Sequence, residues 1–206
     1  MAHGVYRFSD DAILDAACAA FAGEGFDRTT MAAIAERAGT TKPTLYARFG
    51  SKERLFEAAV QREYELLIDH LFAAYDSAPD APIRDRLRLW TSAYFDVVRD
   101  RPDGFRLTAE GERHAAAAAV IRRANDRIIA RIAQLVATMS GHVEPGPGAR
   151  IVAAMIAGML TWAAREAVDS SHVALEDVEA LSEAFLLPAL RALDVELVAS
   201  VRSHSA

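Results

Sequence analysis

Seven polar side chains between residues 40 and 52 have types and spacing that suit contacts to nucleic acid. A threonine hydroxyl can pair with a base edge or a phosphate, and the Lys42 ammonium suits a phosphate or the O6 and N7 acceptors of guanine. Lys52 follows Ser51 at the start of a predicted helix, where the positive helix end favours a phosphate. The seven residues are Thr40, Thr41, Lys42, Thr44, Tyr46, Arg48 and Lys52.

The charge distribution singles out the same part of the chain. The 206 residues include 23 Lys and Arg and 29 Asp and Glu, which gives a formal net charge of −6. The window from Arg28 to Arg54 carries a net +4 and contains both lysines of the protein, so the remainder carries −10. This asymmetry indicates a basic contact face on an otherwise acidic body. A short charged stretch on its own is more often simply a solvated surface.

The apolar pattern predicts an all-α fold of about nine helices. Apolar residues recur at intervals of three and four, strict alternation is lacking, and alanine, the strongest helix former, is abundant. Ser9, Thr41 and Ser51 are good N-caps for the first, third and fourth helices. The segments 76–82 and 141–148 are predicted loops, and 203–206 is a predicted frayed tail. The predicted helices span about 9–24, 30–38, 42–49, 52–75, 83–100, 103–112, 114–139, 149–169 and 174–200.

The second and third predicted helices are short and are separated by a turn containing Gly39. A helix followed by such a pair is the arrangement of a helix-turn-helix, in which the second helix of the pair enters the major groove of DNA. Its early residues face the base edges. The arrangement therefore predicts that the third helix carries the reading residues.

The stretch from Thr29 to Glu53 resembles the DNA-binding signature of TetR-family transcriptional regulators. The resemblance is ungapped and includes Ala38-Gly39, Thr44-Leu45-Tyr46 and Phe49-Gly50-Ser51-Lys52-Glu53. It implies a homodimer with an operator-binding domain over residues 1–50, and a ligand-binding and dimerisation domain over 51–206. The expected partners are double-stranded operator DNA, a second copy of the chain and a small-molecule effector.

By position, the resemblance places Thr30, Thr41, Lys42, Thr44, Tyr46 and Lys52 against DNA. Two positions depart from the family pattern: Thr40-Thr41 replaces the frequent valine-serine, and Arg48 replaces the usual histidine. Both departures are expected to alter operator preference. Leu45 and Phe49 are assigned to the core of the small domain.

Aromatic, methionine and aliphatic residues at helical spacing downstream suggest a ligand pocket, although such stripes are more often core. The resemblance favours a pocket for a hydrophobic or aromatic effector, mostly apolar with a few polar groups. The candidate lining residues are Tyr64, Leu67, Ile68, Leu71, Trp90, Tyr94, Val98, Ile121, Asn125, Ile128, Met155, Met159 and Trp162.

The last two long helices are the predicted dimer interface, with a four-helix bundle formed about a two-fold axis. Small residues allow close helix approach, large ones add bulk, and Pro188 is expected to kink the last helix. The alternative is that both helices are buried within a monomer. The candidate interface residues are Ala153, Ala154, Ala157, Gly158, Phe185, Leu186, Leu190 and Leu193.

Signs of an enzyme are weak. The six histidines lack metal-ligand spacing, Cys18 is the only cysteine, and a phosphate-binding glycine loop is lacking. Glu110 and Glu112 fall in a polar stretch and are interpreted as solvated charge. The chain is therefore predicted not to be an enzyme and to need neither a metal nor a cofactor.

The sequence also bears on location. The longest uncharged apolar run, 151–164, has 14 residues, fewer than the ~20 of a membrane span. With no apparent leader peptide, the expectation is a soluble cytoplasmic protein without a membrane partner. The predicted function is a homodimeric transcriptional repressor released from its operator by a small, largely apolar ligand. The alternative is a helical ligand-binding protein, or a low-specificity DNA binder without repressor activity.

Overall fold

The computed structural model describes residues 9–139, 144–170 and 172–202, and within these ranges it contains ten helices and no strands. The all-α prediction is confirmed. Gly141 and the predicted tail at 203–206 lie outside the described residues. The helices are α1 Asp10–Glu24, α2 Met31–Arg37, α3 Lys42–Phe49, α4 Lys52–Asp76, α5 Ile83–Asp100, α6 Pro102–Gly111, α7 Ala115–Met139, α8 Pro147–Asp169, α9 Leu175–Arg191 and α10 Val195–Ser200.

Side-chain caps begin the first four helices, and those of α1, α3 and α4 are the predicted residues. The hydroxyls of Ser9, Thr30 and Thr41 accept hydrogen bonds from backbone N–H groups in the first turns of α1, α2 and α3. The Ser51 hydroxyl accepts one from the Arg54 N–H of α4 at 3.2 Å. These bonds satisfy donors that a helix start otherwise leaves unpaired, which is why the starts were predictable from sequence.

The predicted last helix, 174–200, is two helices. Helix α9 ends at Arg191, three residues after Pro188, and α10 begins at Val195. The Asp194 carboxylate caps α10 by accepting from the Glu196 and Leu197 N–H groups at 3.0 and 2.9 Å. The cap interrupts the apolar periodicity without a proline or glycine, so the break escaped prediction.

The chain divides into two compact units. The first comprises the described parts of Met1–Leu66 together with Arg101–Arg123, and the second comprises Leu67–Asp100 with the described parts of Ala124–Ala206. The predicted boundary after residue 50 differs from this division, because the beginning of α4, all of α6 and the start of α7 belong with the first three helices.

The core of the first unit joins α1 to α4 through fully buried apolar side chains. Phe21 of α1 and Phe56 of α4 pack edge to face with ring centroids 5.0 Å apart, and Leu45 of α3 is fully buried, as predicted. Cys18 is also buried, and burial raises the pKa of its thiol to about 12. The short helix α3 is thus held by a single buried leucine, which leaves most of its surface to solvent.

A buried carboxylate connects three helices of the first unit. The Glu63 side chain on α4 is 3% exposed and accepts from Arg101 Nε and Nη2, each at 2.8 Å, and from Arg62 Nη2 at 2.9 Å. Arg62 also pairs with Asp15 of α1 at 2.7 Å. Burial opposes ionisation, but the hydrogen bonds from Arg101 and Arg62 outweigh it and hold the pKa of Glu63 below its ordinary value. Arg101 immediately precedes α6, so this network fixes α6 to α4 and α1.

Helix α6 approaches this carboxylate at a glycine. A Cβ atom added at Gly104 would lie 2.2 Å from Glu63 Oε2 and 2.9 Å from Glu63 Cδ. Because both arginines restrain the carboxylate, it cannot move away without breaking charged hydrogen bonds. Gly104 is therefore required by close packing and not by a turn.

In the second unit, α5 packs against α8 and α9. Arg99 of α5 bonds Glu176 and Glu179 of α9 at 3.2 and 3.1 Å, and the Tyr94 hydroxyl donates to Thr161 Oγ1 of α8 at 3.5 Å. At the start of α8, a Cβ atom at Gly148 would lie 2.0 Å from the Val198 carbonyl oxygen, so α8 and α10 meet backbone to backbone.

We expect Gly104→Ala to lower the free energy of unfolding by about 1–3 kcal/mol, because the methyl group must displace Glu63 from its arginines. Gly23→Ala is the matched control, since a Cβ atom there meets nothing within 4 Å. The control should leave the stability unchanged or raise it by up to about 1 kcal/mol through helix propensity. Urea denaturation followed by circular dichroism measures both; equal effects of the two substitutions would contradict the close approach.

Candidate nucleic-acid interface

The turn between α2 and α3 has helix-turn-helix geometry at the backbone level. Gly39 takes a positive φ of 66°, a conformation that favours glycine. Its N–H donates to the Glu36 carbonyl at 3.0 Å, and the following Thr40 N–H donates to the Ala35 carbonyl at 2.9 Å. These bonds end α2 sharply and direct the chain into α3 within four residues.

One face of α3 is polar and exposed, and the opposite face is anchored by Leu45. Thr41 and Lys42 are exposed, Tyr46 is 44% exposed and Thr44 is half-buried. The hydroxyls of Thr41 and Thr44 lie 2.9 Å apart and share a hydrogen bond, and the Lys42 ammonium lies 5.8 Å from the centroid of the Tyr46 ring. Among the described residues Lys42 makes no ion pair. The first two turns of α3 therefore present two oriented hydroxyls, an available cation and a phenol on one surface.

Thr30 and Thr40 are the other two threonines predicted to contact DNA. Thr30 is exposed at the start of α2, where its hydroxyl accepts from the Ala33 N–H at 3.2 Å. Thr40 is half-buried in the turn. A capping hydroxyl keeps a free lone pair and its own hydrogen, so Thr30 can still bond a ligand.

Arg48 has a carboxylate partner. Its Nη1 donates to Asp10 Oδ1 at 2.6 Å, which ties the last turn of α3 to the first turn of α1. Both side chains are substantially exposed, so the pair is worth at most about 1 kcal/mol. The arginine that replaces the family's histidine thus orients α3 through α1.

The Lys52 ammonium bonds the backbone of the first unit. It donates to the carbonyl oxygens of Phe26 and Thr29 at 2.8 and 3.0 Å and lies 4.3 Å from the centroid of the Phe26 ring. A third carbonyl, that of Asp27, lies at 3.4 Å. These contacts fix the loop between α1 and α2, a structural role that the sequence analysis did not anticipate.

A second support of this loop also escaped the sequence analysis. Glu110 Oε1 on α6 accepts from the Phe26 N–H at 3.3 Å and contacts His114 Nε2 at 3.2 Å. Burial opposes ionisation of Glu110, but these hydrogen bonds from His114 and Phe26 lower its pKa below the ordinary value. The prediction that Glu110 is merely solvated charge is wrong, because its carboxylate also bonds the Phe26 N–H, 84 residues away in sequence.

The predicted pocket residues do not form one group. Tyr64 and Ile121 are buried in the first unit. In the second unit Ile68, Leu71, Trp90, Tyr94, Val98 and Ile128 are buried, and Leu67 and Met159 are half-buried. The other three are exposed in the single chain: Asn125 lies at the surface, and Met155 and Trp162 are 67% and 69% exposed. Helical spacing identified their faces but did not show which face lies inward.

The predicted interface residues are similarly divided. Ala153 and Leu186 are buried within the chain's own second unit, so their assignment to an interface is wrong. Ala154 is exposed and Phe185 is 67% exposed, while Ala157, Gly158, Leu190 and Leu193 are half-buried. The small and large residues that face inward instead pack α8 and α9 against α5.

Helices α8 and α9 nevertheless carry a large exposed apolar face, which we call the α8–α9 face. Its exposed members are Ile151, Met155, Trp162, Leu181 and Phe185. Helix α8 is long and apolar enough to cross a membrane by length and composition alone, and 28% of its most apolar 18 residues are buried within the chain. Exposed large apolar residues grouped on adjacent helices are typical of an interaction surface.

The comparison that decides the family concerns the helix-turn-helix region. Residues 13–59 match the family described as bacterial regulatory proteins, tetR family. This match, the curated relatives and the structural neighbours all indicate a TetR-family transcriptional regulator. The likeness to TetR-family structures continues past the matched segment, through the helices that follow. TetR-family proteins are regulators and not enzymes.

A curated relative and a solved structure are similar to this chain over different lengths. The HTH-type transcriptional activator FasR of Mycolicibacterium smegmatis is 36% identical over 100 residues, which is 48% of this chain and 45% of FasR. The chain thus matches less than half the length of this curated relative. A TetR-like transcriptional regulator from Rhodococcus sp. RHA1 superposes with a TM-score of 0.74 at 25% identity, covering 89% of this chain and 96% of that one.

A third relative was solved with a ligand. The structure of the transcriptional regulator FadR from Bacillus subtilis in complex with stearoyl-CoA superposes with a TM-score of 0.72, covering 93% of this chain and 98% of FadR. The sequence identity is 19%, so this likeness is one of fold.

We expect the two lysines to differ in their contribution to stability. Lys52→Met removes charged hydrogen bonds to the Phe26 and Thr29 carbonyls and should lower the free energy of unfolding by about 1.5–3 kcal/mol. Lys42→Met removes an exposed cation without an ion pair and should change it by no more than about 0.5 kcal/mol. Chemical denaturation of both variants measures these changes. An undiminished stability of Lys52→Met would contradict the role of Lys52 in fixing the loop between α1 and α2.

Proposed function

We propose that this chain is a homodimeric DNA-binding transcriptional regulator, acting in the cytoplasm as a repressor whose operator affinity is lowered by a small, largely apolar ligand. The observation that carries the proposal is the polar face of α3, which lies inside the segment that matches the family.

The α3 surface has the chemistry for major-groove contacts. The Thr41 and Thr44 hydroxyls can pair with base edges, and Lys42 can bond guanine or a phosphate. Because the two hydroxyls already share a hydrogen bond, they are oriented before DNA arrives and lose less entropy on binding. Tyr46 and Thr30 are assigned to the DNA backbone. The negative charge outside residues 28–54 repels the duplex and favours contact through this window alone.

The α8–α9 face is proposed to bind the same face of a second copy. A two-fold dimer uses one self-complementary patch on both subunits, and Trp162 and Phe185 are the kind of exposed aromatic residues that anchor such interfaces. Dimerisation also gives the DNA contact its geometry, since two copies of α3 must reach half-sites about 34–36 Å apart.

The ligand is proposed to bind within the second unit. Its interior includes the buried aromatic residues Trp90 and Tyr94, and the Thr91 hydroxyl is fully buried without a hydrogen-bond partner among the described residues. An unsatisfied buried hydroxyl is costly and would be satisfied by a polar atom of a ligand. The stearoyl-CoA complex of FadR supports a ligand with an apolar chain. Such a ligand weakens DNA binding if it prefers the state in which the two α3 helices are wrongly spaced.

The choice between activation and repression depends on what each kind of regulation requires of the protein. FasR carries the name of an activator. Activation needs a productive contact with the transcription machinery, whereas repression needs only a dimer that occupies the operator. Occupancy is all that the α3 surface and the α8–α9 face together provide, and this favours repression.

We expect the purified chain to bind DNA from upstream of its own gene at least about 10³-fold more tightly than a scrambled duplex. Thr44→Val keeps the side-chain shape but removes the hydroxyl and should cost about 1–3 kcal/mol on the preferred sequence only. Arg191→Gln, an exposed charge on α9, is the control. Fluorescence anisotropy at several salt concentrations measures these affinities.

Equal, weak binding to both duplexes would instead favour a low-specificity DNA binder. Complete lack of binding would point to a ligand-binding protein without a regulatory role. An unchanged preference in Thr44→Val would remove Thr44 from the reading surface.

We expect Phe185→Glu to convert the dimer into a monomer, because a carboxylate at the centre of the α8–α9 face would be buried without a partner. Leu66→Glu is the control, since Leu66 is an exposed leucine on α4, outside that face. Sedimentation velocity on both variants gives the outcome. A Phe185→Glu protein that remains dimeric would show that the copies associate through a different surface.

A further inference from the structure

Two arginines of the second unit stack on one tyrosine ring. The guanidinium carbons of Arg86 on α5 and Arg131 on α7 lie 4.1 and 4.2 Å from the ring centroid of Tyr75 near the end of α4. Tyr75 is buried. Cation–π contacts of this length stabilise each guanidinium. The arrangement nevertheless holds two positive charges close to a single ring.

Only one of these two arginines has a carboxylate partner among the described residues. Arg131 pairs with Asp76, which follows Tyr75 and is 61% exposed. Arg86 makes no ion pair with any described residue. The group formed by Tyr75, Asp76, Arg86 and Arg131, which we call the Tyr75 cluster, therefore has a net charge of +1. If the Tyr75 ring only served packing, one arginine would be enough. The second arginine adds electrostatic repulsion between the two guanidinium groups, and a bound anion would relieve that repulsion.

Both arginines combine an unsatisfied buried nitrogen with partial exposure of the side chain. The Nε atoms of Arg86 and Arg131 are sealed from solvent and have no hydrogen-bond partner. Arg86 as a whole is half-buried, and the Arg131 side chain is 32% exposed. A guanidinium edge matches two oxygens of a carboxylate or phosphate, so such an edge is a binding element for an oxyanion.

Apolar side chains continue from the Tyr75 cluster along each helix. Leu71 lies one turn before Tyr75 on α4, Trp90 one turn after Arg86 on α5, and Ile128 one turn before Arg131 on α7. All three are buried. Apolar side chains thus adjoin the Tyr75 cluster on all three helices, and they are the groups that the apolar part of an anionic amphiphile would contact.

We propose that the Tyr75 cluster binds the oxyanion, a carboxylate or a phosphate monoester, of an amphiphilic effector. This inference rests on the proposed ligand response, which it deepens by assigning the ligand a negative charge and assigning Arg86 and Arg131 to it. Arg86 is the principal contact because it has no competing carboxylate, and Arg131 contributes through the edge that Asp76 leaves available.

The test is calorimetric titration of the full-length chain with four probes: dodecanoate, dodecyl phosphate, 1-dodecanol and inorganic phosphate. We expect one of the two anionic amphiphiles to bind about tenfold or more tightly than dodecanol, since charge-assisted hydrogen bonds separate them. The tighter of the two identifies the head group. Inorganic phosphate should bind far more weakly than dodecyl phosphate, because it lacks the chain.

The variants are Arg86→Gln and Arg131→Gln, each of which should lower the affinity for the anionic probe by about tenfold and leave dodecanol unchanged. Arg84→Gln is the matched control, because Arg84 lies on the same helix but pairs with the exposed Asp85. Arg86→Lys retains the charge and lacks the guanidinium edge, so an intermediate loss is expected from it. Circular dichroism verifies that each variant keeps its helix content.

Equal binding of dodecanol and the anionic probes, no binding of any probe, or unchanged affinity in both glutamine variants would overturn the inference. Operator binding measured on the same preparations separates this failure from that of the proposed function. Selective operator binding without arginine-dependent probe binding would refute the oxyanion site alone. Arginine-dependent probe binding without operator selectivity would support the site and refute the regulator.

Discussion

The Glu63 carboxylate is the interaction on which the first unit depends. Burying a charge is unfavourable unless it is paired, and here two arginines provide three short hydrogen bonds. One partner, Arg62, is the preceding residue on α4, and the other, Arg101, lies 38 residues beyond Glu63. Separation of α6 from α4 would remove both hydrogen bonds from Arg101 and leave the buried carboxylate with Arg62 alone, so the separation is unfavourable. This is why α6 belongs to the unit that carries α3, although 34 residues of the second unit precede it in the chain.

Local features of the sequence predicted the helix-turn-helix well. Ser9, Thr30 and Thr41 begin helices because their hydroxyls satisfy neighbouring N–H groups, and Gly39 takes the positive φ that the turn requires. Leu45 is buried as the apolar spacing indicates. Each of these depends on residues within a few positions of one another, which a single sequence displays directly.

Features that depend on distant residues were not predictable in the same way. Glu63, Lys52 and Glu110 look like ordinary surface charge, yet each bonds a group that lies 23 or more residues away. Helical periodicity also gives the spacing of a face without its direction. Ala153 and Trp162 lie on opposite sides of α8, so placing them in an interface and a pocket reversed their actual exposure. Contacts between residues that are distant in sequence determine these bonds and the direction of each helix face. Such contacts are visible only in the structure.

The buried thiol of Cys18 gives the first unit a built-in reporter. With a pKa of about 12, the thiol is almost entirely protonated at neutral pH, and it lies behind the packing of α1. As the only cysteine in the chain, it can react with an alkylating agent only when this unit opens. The rate of its modification therefore measures how often the helices around α3 separate, without any added label. DNA that binds the closed form would slow that rate in proportion to occupancy.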